Sequence, residues 1–137
     1  MHRDAIADLS KLRMENAGKL LTSAHLLIDA NDYKSAANRS YYAVFAAMRA
    51  CLALMGIDHK KHSGVMSDFR LQFIKTGKLR TELSDILSEL FELRTQSDYN
   101  DFYVISKNEI LQQVENAEVF VREIEIFLDT SWGDGYV

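Results

Sequence analysis

No proline interrupts the 137-residue chain, and of its six glycines only Gly18 falls in the middle of a periodic segment. A proline inside a helix removes an i to i−4 hydrogen bond and clashes with the preceding turn, so its absence leaves helix length unrestricted. The apolar spacing uses that freedom. From Asp4 to Ala30, Ile6, Leu9, Ala17, Leu20, Leu21, Ala24, Leu27 and Ile28 recur at intervals of three and four, which places them on one helical stripe. Asn31-Asp32 makes a break and offers an N-cap, and Ala37, Tyr41, Val44, Met48, Cys51 and Met55 mark a second stripe ending at Gly56. Ser63 is the expected cap of a shorter third helix carrying Val65, Phe69 and Phe73, closed by Thr76-Gly77. A fourth helix is expected from about Lys78 to Tyr99, with Leu79, Leu83, Ile86, Leu87, Leu90 and Leu93 inward. Ser106 and Glu109 have capping-box spacing ahead of a fifth, with Ile110, Val114, Ala117, Val121, Ile124 and Leu128.

Each long helix has one stripe to cover, and short connections make successive helices antiparallel neighbours. The predicted fold is all-α: an up-down antiparallel bundle of four long helices with one shorter helix. Residues 1–129 form the expected bundle, and residues 130–137, which lack periodicity, an expected flexible tail unless Trp132 docks. A chain of this length buries a core without disulfides, and the single cysteine, Cys51, reads as apolar filler. No apolar run approaches the roughly 18 residues that span a bilayer, so a membrane association is not expected. Asp4 and Asp8 stand where a secretory signal would carry a basic patch and an apolar run, which points to the cytoplasm. A net charge of −4 argues against broad electrostatic capture of nucleic acid, although a local basic patch remains compatible with it.

Three polar clusters interrupt the core pattern. In Asn38-Arg39-Ser40-Tyr41-Tyr42, Asn38 and Tyr42 are one turn apart with Arg39 beside them. Such a group can hold phosphate or stack a base, or it can satisfy a polar network between helices. The second cluster is His59-Lys60-Lys61-His62-Ser63-Gly64. Two histidines three apart are too few ligands for a metal centre, and no Glu-x-x-His motif accompanies them, so neither metal nor another cofactor is expected. A loop-to-helix junction is the plainer role for His62. The third is Arg94-Thr95-Gln96-Ser97-Asp98-Tyr99, in which Arg94 and Asp98 can pair at i, i+4. If the second and fourth helices are neighbours, Arg39 and Arg94 flank a shared groove with Tyr42 and Tyr99.

The string Ala36-Ala37-Asn38-Arg39-Ser40-Tyr41-Tyr42-Ala43-Val44-Phe45, then Lys61-His62-Ser63-Gly64-Val65 with Phe69, then Arg94 and Ser97-Asp98-Tyr99, resembles a prokaryotic branch of the HEPN superfamily (higher eukaryotes and prokaryotes nucleotide-binding). The resemblance spans roughly Ala17 to Leu128. It implies a helical bundle that commonly forms a homodimer, with many members resembling toxins of toxin–antitoxin pairs that act as metal-independent ribonucleases beside a minimal nucleotidyltransferase. The ribonuclease motif of the superfamily is an Arg and, after four to six intervening residues, a His. Arg94 matches the Arg, but Tyr99, Asn100 and Asp101 occupy the positions open to the His. Metal-free RNA cleavage needs a group that moves a proton near neutral pH, and an unperturbed tyrosine titrates near ~10.

The expectation is therefore an RNA- or nucleotide-binding component of a two-gene module paired with a minimal nucleotidyltransferase. Arg94 would contact phosphate, Asp98 would orient it, and Tyr42 and Tyr99 would stack or offer hydroxyls. Arg39 would add a second cation, and Asn38 and His62 would complete the ligand-binding set. The enzymatic alternative is a metal-independent ribonuclease with a noncanonical acid–base residue, His62 or Tyr99 near Arg94. The structural alternative is a dimerisation module whose arginines and tyrosines build a polar seam.

Overall fold

The computed structural model describes residues 3–134 and contains five α-helices: α1 (Arg3–Asp29), α2 (Tyr33–Ala53), α3 (His62–Phe69), α4 (Glu82–Tyr99) and α5 (Lys107–Asp134). A π-helical turn, Arg70–Ile74, continues from α3. Among the described residues there is no strand, and the all-α bundle expected from the periodicity is the fold observed. The expected acidic N-terminal segment begins at Met1 and His2, which lie outside the described residues.

Local signals fix the first hairpin. Asn31 adopts φ 62°, a left-handed conformation in which asparagine is one of the better-tolerated non-glycine residues. Asp32 then caps α2 by accepting a hydrogen bond from the Ser35 amide at 3.2 Å. Gly56, at φ 70°, reverses the chain after α2. At α5 the Glu109 amide donates to Ser106 Oγ at 3.1 Å, forming one half of the expected capping box. The Glu109 carboxylate turns away and accepts from the Tyr103 hydroxyl at 3.1 Å.

Helix α2 is the axis of the bundle, packing against α1, α3, α4 and α5. Its composition explains this position. Ala36, Ala37, Ala43, Ala47 and Ala50 are all fully buried, and small side chains on several faces let neighbouring backbones approach from more than one side. Around α2 the main core gathers Tyr41, Met48, Phe69, Leu83, Leu87, Leu90, Phe120 and Ile124. A second cluster with Ala24, Ile28, Leu93, Ile110 and Val114 closes the end near the α1–α2 turn. Truncating a side chain as enclosed as Leu87 to alanine costs about 2–5 kcal/mol.

Several expectations need correction. Met55 is exposed, because α2 has ended before it. Ser63 does not cap α3: the helix starts one residue earlier, at His62, with Lys61 at the cap position and no side-chain cap bond. Helix α4 begins at Glu82 rather than near Lys78, because Leu79 is buried from the connection, its amide held by the Phe73 carbonyl at 2.8 Å. The boundary expected at residue 129 does not interrupt α5, which runs to Asp134. Trp132 docks there, its indole Nε1 donating to Ser10 Oγ at 3.1 Å. Residues 135–137 of the expected tail lie outside the described residues.

Candidate functional site

Helices α2 and α4 pack side by side, and this brings the first and third polar clusters together. Arg94 is the centre. Its side chain is only 14% exposed, and Nη2 donates to the Tyr42 hydroxyl at 3.1 Å. Nε lies 2.9 Å from Asp98 Oδ2 but its N–H is not aimed at that oxygen, so the contact is an ion pair rather than an aligned hydrogen bond. The guanidinium carbon sits 5.4 Å from the Tyr41 ring centroid, 5.5 Å from that of Tyr42 and 5.6 Å from that of Tyr99. At these distances the ring quadrupoles attract the cation, each contact contributing about 0.5–1 kcal/mol or more where water is excluded.

A polar chain extends from this centre. Asn38 Nδ2 donates to Asp98 Oδ2 at 3.3 Å, and Arg39 Nη1 donates to Asn38 Oδ1 at 2.8 Å. Asp98 therefore braces Arg94 and Asn38 together. Asn38, Arg39, Tyr42, Arg94, Asp98 and Tyr99 meet in one place, as the convergence of α2 and α4 requires. Tyr99 is 73% exposed, so its ring presents an open face beside Arg94.

His62 joins the same place from the start of α3. Its Nδ1 lies 3.0 Å from the Tyr41 hydroxyl, and its ring stacks on Tyr41, meets Tyr42 edge-on and lies 4.3 Å from the Phe45 ring centroid. Arg94 and His62 thus contact the same pair of tyrosines. Burial, then the positive charges of Arg94 and Arg49, hold the His62 pKa below its usual 6.5, so the neutral ring is favoured at pH 7. Burial pushes the Tyr41 hydroxyl up to about 12, and it keeps its proton. Either tautomer of His62 closes the bond to Tyr41. The one in which Nδ1–H donates to the tyrosine oxygen leaves the Nε2 lone pair able to take a proton.

His59 goes elsewhere, with Nε2 2.7 Å from Asp68 Oδ2 and its ring against Gly64. A β-carbon at Gly64 would stand 3.0 Å from that ring, so glycine is needed for the approach. Among the described residues no three His, Cys, Asp or Glu side chains form a group able to hold a metal ion. Cys51 is fully buried and its thiol is pushed up by burial, consistent with core packing.

Sequence reasoning places Tyr41 in the core, where it lies, and gives Phe45 no role beyond its place in the motif. Both complete the aromatic seat of Arg94 and His62. The signal was present: Tyr41, Tyr42 and Phe45 place three rings within little more than one turn of α2. Arg13, Arg49 and Asp58 form a further cluster that the sequence pattern does not mark. Arg13 Nη2 and Arg49 Nη2 lie 3.5 and 3.1 Å from the same Asp58 oxygen. Arg13 and Arg49 are 36 positions apart, a separation that periodicity does not resolve.

The sequence matches the HEPN domain family over residues 10–127. A "UPF0332 protein" of Thermotoga maritima is 34% identical over 113 residues, covering 82% of this chain and 86% of the relative. A protein named "Putative toxin MJ0142" from Methanocaldococcus jannaschii is 33% identical over 121 residues, covering 88% of this chain and 82% of the relative. A second from that organism, named "Putative toxin MJ0605", is 30% identical over 127 residues, covering 93% and 86% respectively. With its helical bundle, its Arg94-centred site and a match across most of its length, the chain belongs to the HEPN domain family.

Proposed function

We propose that this chain is the RNA-directed, toxin-like member of a two-gene module, a cytoplasmic homodimer whose partner is a minimal nucleotidyltransferase. The observation that carries the RNA reading is the seat of Arg94: a guanidinium held between an ion-paired carboxylate and three tyrosine rings, with Tyr99 open beside it. A guanidinium has N–H groups beyond those directed at Tyr42 and Asp98 to offer a phosphate, while the exposed Tyr99 ring offers a face to a base. The names of the relatives support the toxin-like role. For pairing, the support is the connection between α4 and α5, where Phe102 is 94% and Val104 85% exposed beside Tyr99. Adjacent apolar side chains left this open suit a protein interface.

A second reading, metal-independent cleavage of RNA, is favoured by the position of His62. It supplies an imidazole on the same tyrosines as Arg94, although no histidine follows Arg94 in sequence. His62 Nε2 would take the proton of the attacking 2′-hydroxyl as its oxygen bonds to phosphorus and the P–O5′ bond breaks. The 5′-oxygen would leave with a proton from water, giving a 2′,3′-cyclic phosphate and a 5′-hydroxyl, while Arg94 would stabilise charge developing on the phosphorus-bound oxygens. Both readings are tested by incubating the purified protein with a mixed RNA pool in chelator, beside Arg94→Ala and His62→Ala. Arg94-dependent retention in a mobility shift supports binding, and fragments that disappear in both variants support cleavage. No retention by the native chain would remove the RNA reading, retention that persists in Arg94→Ala would remove Arg94 from the binding, and fragments that persist in His62→Ala would remove the histidine from the chemistry.

A further inference from the structure

From the structure we infer that the groove between α1 and α2 is a base-binding subsite for single-stranded RNA, continuous with the Arg94 centre; this rests on the RNA reading above. The groove encloses ≈ 480 Å³, within the range of small-ligand sites. Leu20, Tyr42 and Phe45 make its apolar wall, and Lys19, Ser23 and Arg49 its polar rim.

Its position is informative. Tyr42 is shared between the two sites: its hydroxyl takes the hydrogen bond from Arg94 while its side chain lines the groove. Phe45 is likewise shared with His62. A strand whose phosphate rests on Arg94 therefore meets an aromatic wall immediately beyond it. Sequence-tolerant binding of single strands uses this combination of ring faces for bases and cations for the backbone.

Charge complementarity supports a nucleic-acid occupant. The whole chain carries −4, yet this rim is cationic. Lys19 is exposed and makes no ion pair among the described residues. Arg49 shares the one Asp58 carboxylate with Arg13, leaving two guanidiniums against a single negative charge, and its buried Nε has no hydrogen-bond partner among the described residues. Arg49 also lowers the His62 pKa, which ties the rim electrostatically to the site. The geometry selects single strands. Bases must be splayed out to reach the Tyr42 and Phe45 wall, whereas an A-form duplex keeps its bases stacked inside.

The test is fluorescence anisotropy with a labelled RNA hexanucleotide, free or annealed to its complement, titrated with the full chain and three variants. Lys19→Glu reverses an exposed charge. Ser23→Trp fills the groove from a position whose side chain, among the described residues, hydrogen-bonds only the Lys19 carbonyl of its own helix. Arg94→Ala reports on the centre. We expect the single strand to bind about tenfold or more tighter than the duplex, and Lys19→Glu and Ser23→Trp each to weaken it by about tenfold. Lys19→Glu should also reduce the slope of log K against log salt by about 0.7 for each phosphate it no longer neutralises. Binding that falls in Arg94→Ala but is unchanged in both groove variants would overturn the subsite and leave the Arg94 reading standing. Equal affinity for the duplex would overturn the subsite as well. Binding that is absent would overturn the RNA reading and the subsite with it, and binding unchanged in Arg94→Ala would overturn the continuity of the groove with the Arg94 centre.

Discussion

Deleting one hydroxyl isolates the interaction on which the proton-transfer reading depends. In Tyr41→Phe the fully buried ring remains packed on Phe45, Phe91 and the Arg94 guanidinium, and only the 3.0 Å bond to His62 Nδ1 is removed. A hydrogen bond between neutral groups contributes about 1 kcal/mol net. The larger penalty for an orphaned buried group does not apply, because half-buried His62 can turn a ring nitrogen to water. For a domain of this size a loss of about 1 kcal/mol lowers Tm by roughly 3–5 °C. In urea it lowers the midpoint by roughly 0.5 M without changing the slope. The same variant should leave RNA affinity unchanged while slowing cleavage, since Arg94 keeps its rings and His62 loses the partner that orients it. A urea midpoint equal to that of the native chain would refute the bond, and unchanged cleavage would refute its role in positioning His62.

Three further outcomes follow from the geometry. The His62 pKa is held below 6.5 on folding, so as pH falls the unfolded chain protonates first and stability declines from about 6.5 down through the folded value; His62→Gln should flatten that part of a curve of urea midpoints against pH. Trp132→Phe removes the indole bond to Ser10, while Ser10 keeps its own 2.9 Å bond to the Ala50 carbonyl. The expected cost is about 1 kcal/mol, read as a lower Tm, and an unchanged Tm would mean that the end of α5 is not held by this bond. Asp58→Asn leaves Arg13 and Arg49 without their shared carboxylate, and because Asp58 is largely exposed the loss should be at most about 1 kcal/mol. It should be greater at low ionic strength than at high, checked by denaturation at two salt concentrations.

The features legible in the sequence were those set by neighbours in the chain. Asn31, Asp32, Gly56 and Ser106 end or begin helices through their own backbone or side-chain chemistry, and each acts where the sequence places it. The buried stripes of α2 and α5 follow from spacing alone. Where tertiary contact decides, the reading failed. Leu79 looks like the first turn of a helix because leucine spacing continues through it, yet it is buried from a connection capped by the Phe73 carbonyl. The π-helical turn after Phe69 leaves no mark in the apolar pattern. From sequence His62 reads most plainly as part of a loop junction, because a histidine at a helix start has ordinary reasons to be there, and its candidacy for the site hangs on whether the fold brings it near Arg94. Its place on Tyr41 and Phe45 depends on how α3 packs against α2, across 21 positions of sequence. Arg94 and Asp98 were readable as a pair, being four apart on one helix, but the tyrosine seat above them required α2.

The central claim, that Arg94 and the residues around it receive RNA, is tested most directly by NMR on this 15.7 kDa chain. A single-stranded RNA hexanucleotide would be titrated into isotope-labelled protein while the Arg94 Nε–H, the His62 ring and the tyrosine signals are followed. Saturable shifts centred on Arg94, His62, Tyr42 and Tyr99, and absent from Arg94→Ala, are the predicted result. Shifts confined to other faces of the bundle, or none at RNA concentrations that saturate binding proteins of this kind, would contradict it.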